Sequence, residues 1–415
     1  MSEMTATRRG TTPGLGQIGR AATLLALAGA WLVAAYLLMR TSVPSIDTSG
    51  LDVHRYFSSD LLSRAHRYER FVRLDWLLSL LAEIVALVVL ARRAPRIARG
   101  LELGPVSGGI VIGMLTLATL LIVGIPFGLA AHWWATRHGL AKGNYLEWLI
   151  APWAQLGGGV AFAMATIGIV MGLARWLGER WWIAGAPVFA AIVATFAFVD
   201  GWLLATDTKR VPPSYRDDIA HLEQVEHVQG TPVRVEKVSD FTDEVNAFSV
   251  GMGPSRHVIV WDTLLDGRFS VREVRAVLAH ELGHVRHKHI YKGVAWFVLL
   301  AFPLAYAVAR GTRRQGGMGS AGAVPLAVLV VVLFSLAATP LENVVSRRYE
   351  AEADWSALEA TKDPDAVSGL FQKFGTTSLD EPNPPLWDYV LLENHPTLAQ
   401  RIAMAEQWKK LRQGG

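Results

Sequence analysis

The sequence predicts a predominantly α-helical integral membrane protein, and three observations lead to this fold class. Of the 415 residues, 51% are hydrophobic and only 18% are charged, a balance unusual for a soluble chain. Seven apolar stretches approach the length of about 20 residues that a helix needs to cross a bilayer. Tryptophans lie near the ends of these stretches, where amphipathic rings favour the membrane interface.

The predicted spans follow one another along most of the chain. They cover residues 21–39, 76–91, 109–133, 153–175, 181–204, 294–309 and 323–341. The first span resembles a signal peptide because it follows Arg8 and Arg9. Its apolar run exceeds the usual signal-peptide length of about 7–15 residues, and no small-residue cleavage site precedes Arg40. We therefore expect this segment to be retained.

The composition excludes several classes of function. Lys and Arg number 40 against 36 Asp and Glu, a net charge of +4, which does not indicate a nucleic-acid partner. The chain contains no cysteine, so disulfides, thiolate nucleophiles and cysteine-ligated metal sites are excluded. A metal ion would have to be held by His, Asp or Glu side chains.

Two polar regions interrupt the membrane pattern, at residues 205–291 and 342–415. Two spans separate them, so both regions must face the same side of the membrane. The sequence therefore predicts a five-span membrane domain at residues 1–204 and a second domain in two parts. The parts are residues 205–291 and 342–415, divided by a transmembrane hairpin at residues 292–341.

A metal-binding motif stands in the first polar region, HELGH at residues 280–284. The preceding apolar residues recur at helical spacing after Ser270, a predicted N-cap. Residues four apart share one face of a helix, so His280 and His284 can offer ring nitrogens to one zinc ion. Glu281 would then point toward the water that the zinc binds.

The third ligand must come from elsewhere, because a catalytic zinc has three protein ligands. His287 and His289 do not have the spacing of the proteases whose third histidine follows a glycine. The stretch SRRYEAEAD at residues 346–354 continues helically from the last span, and Glu350 completes a His, His, Glu set. Asp354 shares its face and is predicted to orient one of the two histidines or to donate a proton. Glu352 and Arg348 are assigned to a solvated face of this helix.

These residues resemble a known family, the type I CaaX prenyl endopeptidases, which are seven-span membrane zinc peptidases of the gluzincin type. The resemblance covers most of the chain. It rests on HELGH at 280–284, SRRYEAEAD at 346–354, His395-Pro396, Arg401-Ile402, Asn246-Ala247-Phe248 and IVWDTLL at 259–265. It extends to Tyr56-Phe57-Ser58, Arg67-Tyr68 and the stretch RHGL at 137–140.

The resemblance implies seven helices enclosing a chamber and an α+β zinc peptidase domain split by the last helical hairpin. It implies one zinc ion per chain on His280, His284 and Glu350, with Glu281 as general base. Asp354, His395 and Arg401 match positions near the metal and substrate, and either His395 or Arg401 would stabilise the oxyanion. Asn246, Ala247 and Phe248 would form an edge strand that pairs with an extended peptide.

Partners and location follow from the same resemblance. The eukaryotic members cleave prenylated proteins, whereas a bacterial relative would act on other membrane proteins or peptides. We expect a multi-pass protein of the cell membrane, or of the endoplasmic reticulum or inner nuclear membrane in a eukaryote. Counts of Lys and Arg in the short loops leave the orientation open; the resemblance implies a zinc site that faces the cytosol.

Two other classes of protein remain open at this point. In a polytopic transporter or receptor, HELGH would be incidental and no zinc would be bound. A structural or chaperone-like membrane protein could retain zinc without hydrolysing anything. Glu281 argues against the second class because a purely structural zinc site needs no general base.

Overall fold

The computed structural model describes residues 15–142, 145–150 and 153–413. The chain divides into two compact units, Met1–Arg40 and Thr41–Gly415. The first unit contains α1 (Leu15–Met39). Large apolar side chains of this helix, such as Leu24, Leu25 and Leu32, are exposed, as expected where lipid rather than protein surrounds a helix.

The second unit contains, in its described residues, twelve further α-helices and four short strands. In chain order they are α2 (Ser59–Gly100), α3 (Pro105–Arg137), α4 (Tyr145–Ile150), α5 (Trp153–Leu177), α6 (Trp181–Ala205), β1 (Lys209–Arg210), α7 (Arg216–Val225), β2 (Val233–Glu236), β3 (Ala247–Val250), β4 (His257–Trp261), α8 (Val271–Arg286), α9 (His289–Thr312), α10 (Val324–Thr361), α11 (Pro364–Thr377), α12 (Leu386–Leu391) and α13 (Leu398–Gln413).

Six stretches of the described residues are helical, long and apolar enough to cross a membrane. One of them, Gly158–Ala205, combines the fourth and fifth predicted spans. The chain reverses within it at Gly178, whose φ of 60° suits glycine, and the rings of Phe162 and Phe196 meet 5.3 Å apart. All seven predicted spans are therefore helical, and the multi-pass membrane fold is confirmed. The enclosed chamber stays a prediction.

A small sheet lies in the first polar region, with the strand order β1-β2-β4-β3. Strands β2 and β4 are parallel, and the other two pairs are antiparallel. Ala247 pairs with Val260 and Val250 pairs with His257, so β3 forms one edge of the sheet. This edge strand is the element that carries Ala247 and Phe248.

The two polar regions share one hydrophobic core, in which α8 packs against α10. Leu278, Leu282 and Leu358 are fully buried in it. Gly283 lies where the two helices pack closely against each other. A Cβ at this position would lie 3.0 Å from Cβ of Ser356, a separation that real Cβ atoms rarely show. The glycine of the HELGH motif therefore lets α10 come close enough to bring a third ligand to the histidines.

The ends of α8 are defined by local chemistry. At its start, the hydroxyl oxygen of Ser270 accepts from the N–H of Glu273, and the Glu273 carboxylate accepts from the N–H of Ser270 at 2.7 Å, which is a capping box. This confirms the predicted N-cap. After the helix ends, Lys288 adopts a left-handed conformation with φ 57°, and α9 begins at His289. That turn directs His289 back toward the zinc-motif histidines.

Candidate metal centre and active site

Three side chains converge between α8 and α10. His280 Nε2 lies 3.0 Å from His284 Nε2 and 3.3 Å from Glu350 Oε2, and His284 Nε2 lies 3.4 Å from Glu350 Oε1. A tetrahedral zinc ion with bonds of about 2.0–2.1 Å holds its ligand atoms about 3.3 Å apart. The spacing of the three atoms therefore fits a zinc ion.

Glu350 supplies a second test of this fit. Its Oε2 atom is buried and accepts no hydrogen bond from any described residue. An unsatisfied buried carboxylate oxygen is costly unless a cation or donor satisfies it. Together with the two imidazoles, it makes a donor set of nitrogen and oxygen atoms that suits zinc. His280, His284 and Glu350 could thus hold one metal ion.

The two histidines differ in charge. Burial alone would lower the pKa of His280, but the hydrogen bond with Asp354 and the negative charges of Asp354 and Glu350 outweigh it and raise that pKa to about 10. Burial lowers the pKa of His284 to about 3. In the metal-free protein the proton at this centre therefore resides on His280. Since a metal ligand must be the neutral imidazole, metal binding has to release that proton.

Glu281 follows His280 directly and is buried beside the edge strand. Burial raises the pKa of its carboxyl group to about 7, even though the backbone N–H of Ser249 donates to it. A carboxylate whose pKa is close to neutrality can both accept and return a proton. Glu281 thus has the chemistry of a general base.

Asp354 lies behind His280, and its side chain is only 3% exposed. Its Oδ1 atom lies 2.9 Å from His280 Nδ1, on the ring nitrogen that faces away from Glu350. Arg401 donates to both carboxylate oxygens, with Nε to Oδ2 at 2.7 Å and Nη2 to Oδ1 at 2.6 Å. Of the two roles predicted for Asp354, this geometry favours orientation of His280. It also occupies the Nε donor and one Nη2 donor of Arg401.

His395 stands at the opposite side of the centre, in the turn before α13. Its Nε2 atom lies 3.4 Å from Glu350 Oε2, and its side chain is 51% exposed. Burial among the surrounding groups lowers the pKa of this histidine. His395 therefore remains available to a bound substrate.

A cavity of about 110 Å³ joins these groups to the edge strand. Its described lining includes Asn246, Ala247, Glu281, His395 and Arg401. Phe248 is not part of it, because side chains alternate between the two faces of a strand. The structure thus brings together every predicted site residue except the side chain of Phe248.

The assignment of Glu352 to a solvated face is wrong. The Glu352 side chain is only 3% exposed, and its Oε2 atom lies 3.0 Å from His289 Nε2 and 3.1 Å from Lys292 Nζ. Successive helical residues are about 100° apart, so Glu352 points away from Glu350 and into α9. Arg348 is exposed as predicted. Sequence reasoning missed His289 as well; the available signal was a histidine five residues after His284.

A metal-binding HExxH helix, a carboxylate ligand on a second helix and the long apolar helices around them define a metallopeptidase-type site on a membrane scaffold. Residues 217–409 match the sequence signature of Peptidase family M48. The family resemblance read from the sequence is thereby confirmed.

Curated relatives and a solved structure agree with this assignment. The chain is 30% identical to "Uncharacterized metalloprotease YhfN" of Bacillus subtilis over 41% of this chain and 42% of that protein. It is 33% identical to a "Protease HtpX homolog" of Methylibium petroleiphilum over 39% of this chain and 56% of that protein. The chain thus spans about half the length of these relatives. The crystal structure of S. mikatae Ste24p has the same fold, with a TM-score of 0.69 at 17% identity over 91% of this chain and 96% of that chain.

Proposed function

We propose that this protein is a membrane-embedded zinc metalloendopeptidase with one zinc ion per chain. The observation that carries the proposal is the convergence of His280, His284 and Glu350, whose ligand atoms all lie within 4.8 Å of one another, next to Glu281. A zinc ion bound there would polarise a peptide carbonyl and lower the pKa of water. Side chains of the protein carry out the other steps of the reaction.

Glu281 is the general base in this mechanism. Its carboxylate accepts a proton from the attacking water and returns it to the leaving amine, a use that its pKa of about 7 supports. His395, exposed in the cleft, donates to the oxyanion that develops on the scissile carbonyl. Asp354 and Arg401 hold His280 in its tautomer and orientation.

The edge strand β3 binds the peptide by strand addition. Asn246 and Ala247 line the cavity beside Glu281, so an extended segment paired with them would present a carbonyl to the metal centre. The N–H of Ala247 donates to Oδ1 of Asn246 at 2.9 Å, and this side-chain amide can give way to a peptide carbonyl. The side chain of Phe248 projects from the opposite face of the strand.

The substrate is a peptide or protein held close to the membrane. Helix α10 runs without interruption from Val324 to Thr361, and Glu350 follows the apolar part of it, residues 324–341, by nine residues. At 1.5 Å per residue the centre lies about 14 Å beyond that apolar part. Lipidated or membrane-anchored proteins satisfy this limit, CaaX proteins among them, and the centre faces the cytosol in this proposal.

Metal content and peptide hydrolysis of the detergent-purified protein test the proposal. We expect the wild type to contain about one zinc ion per chain and to cleave an unstructured peptide. Glu281→Gln should retain zinc and lose activity by about 10²–10⁴-fold, the usual range for a general base. A wild type without zinc, or cleavage that survives Glu281→Gln, would leave the transporter or receptor class as the better account.

A further inference from the structure

His284 contacts a chain of polar groups that lies on the far side of the centre from the cleft. Its Nδ1 atom lies 2.8 Å from His289 Nδ1, and His289 Nε2 lies 3.0 Å from Glu352 Oε2. Both partners are buried: His289 is 6% exposed and Glu352 is 3% exposed. None of these contacts involves the cavity that binds the peptide in the proposed function.

The direction of each hydrogen bond in this chain follows from the metal site. His284 directs Nε2 toward Glu350 and His280, so a metal needs the lone pair on Nε2. The proton of the neutral ring must then be on Nδ1, which donates to Nδ1 of His289. His289 therefore carries its own proton on Nε2 and donates it to Glu352.

We propose that Glu352 and His289 are positioning residues that hold His284 in its metal-binding tautomer. This inference rests on the proposed zinc-binding function. A carboxylate can only accept a hydrogen bond, so His289 must donate to it from Nε2. Nδ1 of His289 is then an acceptor, and His284 must donate to it from its own Nδ1. Without the carboxylate, His289 could donate to Nδ1 of His284, which would place the His284 proton on the nitrogen that the metal needs. Glu352 thus selects one of the two tautomers of His284, a residue that it does not contact.

The carboxylate itself is held in place from several sides. Lys292 Nζ lies 3.1 Å from its Oε2 atom, and the backbone N–H of Ser42 donates to its Oε1 atom. His287 approaches the same Oε1 atom at 3.5 Å. The His289 ring stacks on the ring of Tyr349, with centroids 4.6 Å apart and planes 8° apart. These contacts fix both members of the chain in position, as a positioning role requires.

Zinc affinity, measured by competition with a chromogenic chelator on the metal-free full-length protein, tests this proposal. Glu352→Gln removes the charge that makes the carboxylate an obligatory acceptor, and His289→Phe removes the acceptor while keeping a ring to stack on Tyr349. We expect zinc binding weaker by about 10–100-fold in both, the usual cost of losing such a partner. His289→Gln, which retains an acceptor, should recover part of the affinity.

The matched control is Glu359→Gln, on the same helix, where the carboxylate accepts from Trp408 Nε1 at 2.8 Å and from Arg412. Its zinc affinity should equal that of the wild type. Zinc affinity of Glu352→Gln and His289→Phe equal to that of the control overturns the proposed relay from Glu352 through His289 to His284. A lowered melting temperature of the metal-free protein with unchanged affinity overturns it as well. A wild type that binds no zinc overturns the proposed function itself, and the relay with it.

Discussion

The two ligand histidines are supported by different means. His280 contacts a carboxylate directly, Asp354 on α10, and that carboxylate is paired with Arg401 on α13. His284 contacts another imidazole, His289 on α9, which separates it from Glu352 on α10. Both supports end on α10, two residues apart, on opposite sides of that helix.

The difference between the two supports is electrostatic. The nearby Asp354 carboxylate helps to raise the pKa of His280 to about 10, whereas burial leaves His284 with a pKa of about 3. The direct contact with Asp354 makes His280 more basic, so His280 carries a proton that metal binding must release. The intervening imidazole of His289 fixes the tautomer of His284 and adds no proton to it. One metal site thus combines two ways to orient a histidine.

Removal of the Glu350 carboxylate, which both histidines contact, should have the largest effect. We expect Glu350→Gln to weaken zinc binding by more than about 100-fold, beyond the usual cost of an outer partner, and to abolish hydrolysis. Zinc content after dialysis and peptide cleavage measure this, with Glu359→Gln as the control on the same helix. Full zinc occupancy in Glu350→Gln would exclude Glu350 from the ligand set.

The direct support of His280 should be more costly to break than the relay of His284. Asp354→Asn leaves the buried Arg401 without its charge partner, which typically costs about 3–5 kcal/mol. The apparent melting temperature of the metal-free protein should therefore fall, along with zinc affinity. Addition of Arg401→Leu should restore part of the stability but not the affinity. A melting temperature unchanged by Asp354→Asn would contradict the buried ion pair.

The proton on His280 predicts a dependence of zinc binding on pH. A pKa raised to about 10 means that His280 is protonated at pH 8 and is deprotonated only as the pH rises through that value. Zinc must then displace about one proton, and affinity should rise with pH below that value. Calorimetry in two buffers of different ionisation enthalpy measures the release. Asp354→Asn should release fewer protons, and equal release by both proteins would contradict this cause.

The smallest effect is expected at Arg348, on the exposed face of the same helix. Arg348→Gln should change stability by no more than about 0.5 kcal/mol, as surface substitutions usually do, and should leave zinc affinity unchanged. Thermal unfolding and chelator competition measure both quantities. A loss of zinc affinity comparable to that of Glu352→Gln would show that the two faces of α10 do not differ as the structure indicates.

Much of the candidate metal centre could be predicted, because the helical period determines which residues of one helix share a face. His280 and His284 share a helical face at a spacing of four, and the same rule relates Glu350 to Asp354. The capping box at Ser270 begins the helix where the sequence indicates. Each of these relations needs only one helix, so no knowledge of neighbouring elements is required.

The relay could not be predicted in the same way. Glu352 lies about 200° around α10 from Glu350, and a charged residue at that angle ordinarily faces water. It is buried because α9 packs against this side of α10, and His289 reaches His284 because Lys288 turns the chain in a left-handed conformation. Neither the packing partner nor that turn is encoded by a local pattern.

The sequence alone indicated the membrane class, the seven apolar helices, the HELGH motif and Glu350 as the third candidate ligand, because hydrophobic length and helical period are local properties. Only the tertiary structure decided which side chains stand behind each ligand. It assigned Arg401 to Asp354, left His395 open to the cleft and buried Glu352 behind His289. The reason is physical: burial and hydrogen-bond partners depend on which helices meet, and residues far apart in sequence determine that.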